Sequence, residues 1–360
     1  MTFERMQCAA KLRAMHEDVS IRTRRSFLAA CALGGVFVFL LPSAASHAQT
    51  VRIANSVTRD EPASGVPVQV VVTVEARKGE EVPLINREDV IMHEGHTRGE
   101  VIDWVPAQGE HASLELMIML DDGSNTMLDS QLDDIREFVK SQPDTTMVGI
   151  AYMHDGVAQV VQNLTNDHAL AAKALRLPLG VRGVDGSPYF SLTDLVKRWP
   201  ATTARRAVVM ATDGIDRNYD SGDLEDPYLD EAIDNALRAG ITVSTIYTPG
   251  AGHSGHSYWQ TYWGQIFLSR LAEETGGEGY SIGFTGSPVS FTPFLDDVGK
   301  RLAHEYLLTV RLKPQKKADW QSIRLMTEVP NADLVAQGKV WVTPKEGRTV
   351  DMWDGGDNAP

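Results

Sequence analysis

Two short stretches carry residue types that could do chemistry. In the segment Leu114 to Met127, LELMIMLDDGSNTM, an apolar run of strand length stops at two carboxylates, and Asp122, Ser124 and Thr126 follow one another at intervals of two. A second apolar run, Ala207 to Gly214 (AVVMATDG), ends in Thr212 and Asp213. Carboxylates and neutral hydroxyls are the oxygen donors that Mg2+ and Mn2+ gather into an octahedral shell. Two carboxylates roughly neutralise such an ion, and hydroxyls leave it electrophilic. Parallel buried strands would aim both acidic tips at one crevice beyond their carboxyl ends. Taken alone, Asp-Gly-Ser-Asn-Thr is also ordinary turn and helix N-cap chemistry.

The pattern Asp-x-Ser-x-Thr from Asp122, then Ser187 in GSPYF, then Asp213 in ATDG, resembles the metal-ion-dependent adhesion site of von Willebrand factor type A domains. That motif is Asp-x-Ser-x-Ser, a distant Thr and a distant Asp. Thr126 stands where Ser is usual and Ser187 where Thr is usual, and both exchanges keep the hydroxyl. The resemblance implies a site for Mg2+ (or Mn2+) built from Asp122, Ser124, Thr126, Ser187 and Asp213. Ser124, Thr126 and Ser187 would ligate directly, while Asp122 and Asp213 ligate or anchor coordinating waters. A Glu or Asp carboxylate of a protein partner would complete the shell.

The elements needed to position these residues are legible between Ser113 and His304, where strand and helix patterns alternate as in a doubly wound, mostly parallel sheet of the von Willebrand A or Rossmann-like kind. Leu132, Ile135, Phe138 and Val139 mark one helix face; TTMVGIAYMH and GVAQVVQNLT read as a hairpin turning at Asp155-Gly156. SLTDLVKRWP predicts a short helix after Ser187, and Leu229, Ile233, Ala236 and Leu237 predict the next, followed by the strand ITVSTIYTP. A helix from about Tyr262 to Thr275, a short strand in EGYSIG and a last helix bearing Phe291, Phe294, Leu295, Val298 and Leu302 complete the unit.

On either side the pattern is all strand. Val66 to Ala76 alternates and is rich in β-branched residues, and EDVIMHEG and TRGEVIDWVPA give two shorter runs. YLLTVRLKP, WQSIRLMTEVP and DLVAQGKVWVTP mirror them at the far end. Three strands on each side predict a small β-sandwich with the α/β unit inserted between its N- and C-terminal strands. The expected division is 1–48 an export signal, 49–110 and 306–344 the two parts of the sandwich, 111–305 the von Willebrand A-like domain, and 345–360 a disordered acidic tail. This order resembles the von Willebrand factor A-related group common in acidobacteria.

The export expectation rests on RTRRSFL (Arg22 to Leu28), an apolar segment from Ala29 to Leu41 and the small-residue pattern Ser46-His47-Ala48. The paired arginines resemble a twin-arginine signal, with an ordinary secretory signal as the alternative. Both cysteines, Cys8 and Cys31, precede the cleavage pattern, so a mature chain would have neither thiol nor disulfide. Six Lys or Arg against three Asp or Glu lie before residue 49, leaving a net charge of −17 for the remainder against −14 for the whole chain. Such acidity argues against nucleic acid or anionic lipid as a partner, and no further apolar stretch approaches membrane length. A periplasmic or secreted location follows.

Two loops should flank the metal. DRNYDSGDLED (Asp216 to Asp226) begins like a calcium loop but has Pro227 where the twelfth-position Glu is needed, so it reads as a solvated acidic loop before a helix. GAGHSGHSYWQTYWG (Gly250 to Gly264) carries Tyr258 and Trp259, a composition suited to a partner-binding rim. His253 and His256 lack a third zinc ligand nearby. No Gly-x-Ser-x-Gly, Walker A or dinucleotide fingerprint occurs, and the expectation is a binding module and not an enzyme. The alternatives are a cell-envelope structural or assembly factor with a non-functional metal site and, behind it, a metal-assisted hydrolase.

Overall fold

A computed structural model describes residues 65–79, 81–124, 128–179, 186–219, 225–249, 258–281 and 290–343. The segment expected to direct export, Thr126, the histidines of the 250–257 loop and the acidic tail lie outside the described residues. Four strands come first: β1 (Val66–Ala76), β2 (Val90–Glu94), β3 (Thr97–Arg98) and β4 (Glu100–Pro106). Next are β5 (Leu114–Asp121), α1 (Asp129–Lys140), β6 (Thr146–His154), β7 (Val157–Thr165), α2 (His168–Lys173), α3 (Pro188–Arg198) and β8 (Arg205–Thr212). The chain continues through α4 (Pro227–Ala239), β9 (Ile241–Tyr247), α5 (Tyr258–Thr275), β10 (Gly279–Tyr280) and α6 (Thr292–Ala303). Four more strands follow: β11 (Glu305–Leu312), β12 (Asp319–Thr327), β13 (Ala332–Val335) and β14 (Lys339–Val342).

The central sheet has the order β10-β9-β8-β5-β6-β7 and is parallel except for β7. Asp155 and Gly156, both at positive φ, turn β6 into β7 as the Asp-Gly pair predicts. Alternation sends Leu116, Ile118 and Leu120 of β5 into one apolar cluster with α1, α2 and α6. Met117 and Met119 enter a second cluster with α3, α4 and α5. Cover on both faces explains why β5 reads as an unbroken apolar run from Leu116 to Leu120. From β5 the chain first builds outward through β6 and β7, then returns to β5's other side with β8. The strand order therefore reverses between β5 and β8, and such a reversal opens a crevice at the carboxyl ends.

The flanking strands form two four-stranded sheets, β13-β1-β11-β4 and β14-β12-β2-β3, each drawing on both ends of the chain. Val72 and Leu308 of the first sheet and Met92 and Ile323 of the second share one apolar cluster. Four strands stand on each side where three were expected. β3 is only two residues long, and DLVAQGKVWVTP breaks into β13 and β14, which join different sheets. The chain leaves the first sheet at Pro106 and re-enters it at Tyr306, directly opposite. Trp104, stacked on Tyr306 at 4.4 Å, donates its indole N–H to Ile85 O.

The last helix of the α/β unit is held to the first by a cap in trans. Asp134 of α1 accepts bonds from Ser290 Oγ (2.6 Å), Phe291 N (2.7 Å) and Thr292 N (3.3 Å) at the start of α6. Burial would raise its pKa, but these bonds outweigh that and hold the carboxyl below the usual range. Asp134→Ala should cost about 1 kcal/mol in chemical denaturation. A depressed carboxyl stabilises only while ionised, so the wild-type advantage should be full above the ordinary Asp pKa and vanish as pH falls through the depressed one.

Candidate functional site

At the mouth of the crevice the two candidate acids of the first stretch separate. Strand alternation puts Asp121 on the face of Met117 and Met119, and Asp122 on the face of Leu120. β5 and β8 are paired Leu120 to Ala211, so the next pair in register is Asp121 and Thr212. Thr212 Oγ1 donates to Asp121 Oδ2 at 2.6 Å, and Gly123 N donates to Asp121 Oδ1 at 2.8 Å. Asp213 follows and interacts electrostatically with Asp121. Burial, then the Asp213 charge, pushes Asp121 up to about 7 against the hydrogen bonds of Thr212 and Gly123 and the charge of Arg217. These two carboxylates, Asp121 and Asp213, are the pair at the switch point.

Asp122 is turned the other way and is fully engaged. Arg176 donates to it through Nη1 (2.6 Å) and Nη2 (2.9 Å), Leu179 N donates at 3.0 Å, and His154 Nδ1 lies 3.2 Å away. Burial opposes ionisation, but the Arg176, Leu179 and His154 contacts prevail and lower its pKa. Arg176 is held in turn over the Tyr152 ring at 3.9 Å. The arrangement ties the segment after α2 to the end of β5.

Ser187 is likewise committed. It is the N-cap of α3, accepting from Tyr189 N (3.2 Å) and Phe190 N (3.4 Å), and its hydroxyl donates to Asp216 Oδ2 at 2.6 Å. Asp216 is therefore buried, and so is Asp226, which caps α4 through Tyr228 N and Leu229 N. The two ends of the loop expected to be solvated are fixed structural carboxylates. Ser124 differs: its Oγ is buried with no hydrogen-bond partner among the described residues, and its N–H bonds Asp121 O at 3.0 Å.

The loop after β8 is seated by close backbone approach. A Cβ on Gly214, at φ +70°, would meet Gly264 O at 2.5 Å, and one on Gly264 would meet Asp213 O at 2.4 Å. Tyr189 adds a bond from its hydroxyl to Gly214 O at 2.7 Å, and Ile215 N donates to Asp213 Oδ1 at 3.0 Å. Arg217 Nη2 stands 3.4 Å from Asp213 Oδ2. Tyr258 and Trp259, 60% and 61% exposed, are the first turn of α5, which starts one turn earlier than its pattern suggested.

Among the described residues no group of three or more His, Cys, Asp or Glu side chains is arranged to hold a metal ion. Asp121 and Asp213 are oxygen donors of the kind a hard cation takes, and so is the hydroxyl of Ser124, which has no hydrogen-bond partner among the described residues. Both oxygens of Asp122 and the hydroxyl of Ser187 are already bonded, as are both oxygens of Asp121. Period-2 alternation from Met117 was enough to place Asp121, and not Asp122, on the face that meets Thr212. Arg176 carried no local signal, while Asp216 and Arg217 open the acidic loop already singled out, with nothing in it to show their partners.

No protein-family model and no curated protein sequence matches the chain. Among solved structures it is similar to an aerotolerance-related membrane protein from Bacteroides fragilis, 16% identical over 53% of this chain and 98% of that one, with a TM-score of 0.38. It is also similar to the SpRpn10 VWA domain (15% identity, 51% and 95% covered, TM-score 0.31). A third likeness is to the ArnB paralog VWA2 from Sulfolobus acidocaldarius (8% identity, 77% and 76% covered, TM-score 0.33). The α/β unit has a von Willebrand A or Rossmann-like fold. Scores this low add nothing to the strand order and helix layers, which carry that statement on their own.

The two aspartates should part company on substitution. Asp122→Ala leaves Arg176 without its carboxylate, and because Arg176 is 37% exposed the loss should be about 2 kcal/mol, below the roughly 3–5 kcal/mol of a fully buried pair. Asp121→Asn removes a buried charge facing Asp213 and should leave the melting temperature of the cation-free protein unchanged or higher.

Proposed function

We propose that the chain is an exported protein-binding module in which Asp121, Ser124 and Asp213 hold Mg2+ or Mn2+, and through that ion engage an acidic side chain of a partner. The observation that carries the reading is the pair of carboxylates at the switch point with the unpartnered Ser124 hydroxyl close by in the chain. When bound, such an ion supplies an electrophilic position for an oxygen ligand. Asp121 and Asp213 offset its charge. Gly214, Gly264 and Tyr189 keep the Asp213 loop in place, and Thr212 orients Asp121. Thr126, beyond the described residues, is a further hydroxyl two residues on from Ser124.

Tyr258 and Trp259 form the partner-facing rim: two large rings that stay exposed while Phe267 and Leu271 of the same helix are buried. The paired sheets built from both chain ends are the β-sandwich, with the α/β unit (111–305) inserted between Pro106 and Tyr306. Export rests on the twin-arginine-like segment and apolar run before residue 49. No helix among the described residues is long and apolar enough to cross a membrane. The acidic surface disfavours nucleic acid. The reading is of a binder and not an enzyme.

A second reading, a cell-envelope structural or assembly factor whose site no longer takes an ion, is favoured by one contact, Arg217 beside Asp213. Calorimetric titration of Mn2+ into chelator-treated protein separates the two. Saturable one-site binding that disappears in Asp121→Ala and survives in Asp122→Asn supports the module. An Asp122-dependent, Asp121-independent site would return the ligand set to the pattern expected from sequence, and the absence of binding would favour the structural role.

A further inference from the structure

Arg217 occupies a position with a consequence for how the crevice works. Its guanidinium lies 3.4 Å from Asp213 Oδ2, and its side chain is 26% exposed against 3% for Asp213. It also acts electrostatically on Asp121. The guanidinium thus pairs with Asp213, and its charge also favours the ionised form of Asp121.

The backbone that bears it is fastened on the side that leads back to β8. Gly214 is pressed against Gly264 and bonded by Tyr189, and Asp216, the residue before Arg217, is turned away to Ser187. A divalent cation needs Asp213 oxygen lone pairs at about 2.0–2.1 Å for Mg2+. A second positive charge within a few ångströms of that ion is repelled by it.

We propose that Arg217 is a built-in counter-ion that competes with Mg2+ or Mn2+ for the Asp121–Asp213 pair: the guanidinium closes the site in the cation-free chain and turns to solvent when the ion enters. This rests on the reading of Asp121 and Asp213 as the cation-holding pair. It makes Arg217 a positioning residue that sets the affinity threshold, so the site fills only where the cation is abundant or where a partner carboxylate adds to its hold.

The test is calorimetric titration of Mn2+ into the cation-stripped full chain as wild type, Arg217→Gln, Arg217→Lys and Asp121→Asn. Arg217→Gln should bind about tenfold tighter or more, the scale of one partly screened charge contact. Arg217→Lys should stay near wild type, and Asp121→Asn should not bind. Equal affinities for wild type and Arg217→Gln, with loss in Asp121→Asn, would overturn the competition and leave the metal reading standing. Weaker binding by Arg217→Gln would also overturn it, and no binding by any form would overturn both. Thermal melting supplies the check on folding: Arg217→Gln should melt lower than wild type without cation and match it at saturating Mn2+. A purely structural arginine would leave the deficit in place at saturation.

Discussion

A parallel strand covered on both faces can carry charge only at its ends, and β5 is such a strand. From Leu116 to Leu120 every side chain is buried in one of two apolar layers, and an ionised group there would face a desolvation cost with no partner to offset it. The first polar positions are Asp121 and Asp122, at the tip. The pleat then decides their fates: Asp121 meets the neighbouring strand β8 across the crevice, and Asp122 meets the segment after α2. The geometry of the candidate site follows from this one strand and its register with β8.

Charge around the tip is balanced by two arginines with different duties. Arg176 is bidentate on Asp122 and stacked over Tyr152, so its planar fork fixes a loop to the sheet. Arg217 touches Asp213 at longer range from a partly exposed position. The first contact is structural by its geometry. The second meets one of two carboxylates, Asp213, whose charge raises the pKa of Asp121 against the hydrogen bonds of Thr212 and Gly123.

At the opposite end of the central sheet, ion pairs join it to the flanking strands. Arg205, the first residue of β8, pairs with Glu305, the first residue of β11, and both are buried. Burial raises the Glu305 pKa and Arg205 opposes that rise. Arg301 of α6 adds contacts to Glu75 of β1 and Glu278 beside β10. Buried pairs of this kind add little net stability, since desolvation offsets their attraction, but a misplaced partner would leave a bare charge inside. They therefore fix how the amino end of β8 and the start of β11 are set against each other.

Sequence alone determined the periodic features. Apolar alternation and helix faces gave the order of strands and helices, the Asp155-Gly156 hairpin, and acidic tips on two strands, because those signals are local and repeat every 2 or 3.6 residues. It also placed Asp213 at the end of β8. The motif spacing named Asp122, while the pleat, which the same residues encode, sets Asp121 opposite Thr212 of β8. Tertiary structure decided the rest. Ser187 became a cap bonded to Asp216, and the supposed solvated loop put two of its carboxylates inside. Tyr258 and Trp259 moved from loop to helix, Arg176 came to Asp122 from 54 residues along the chain, and Arg217 turned back onto Asp213 four residues before it. Which donor meets which acceptor across 29 or 54 residues of chain depends on how layers pack, and no local pattern records it.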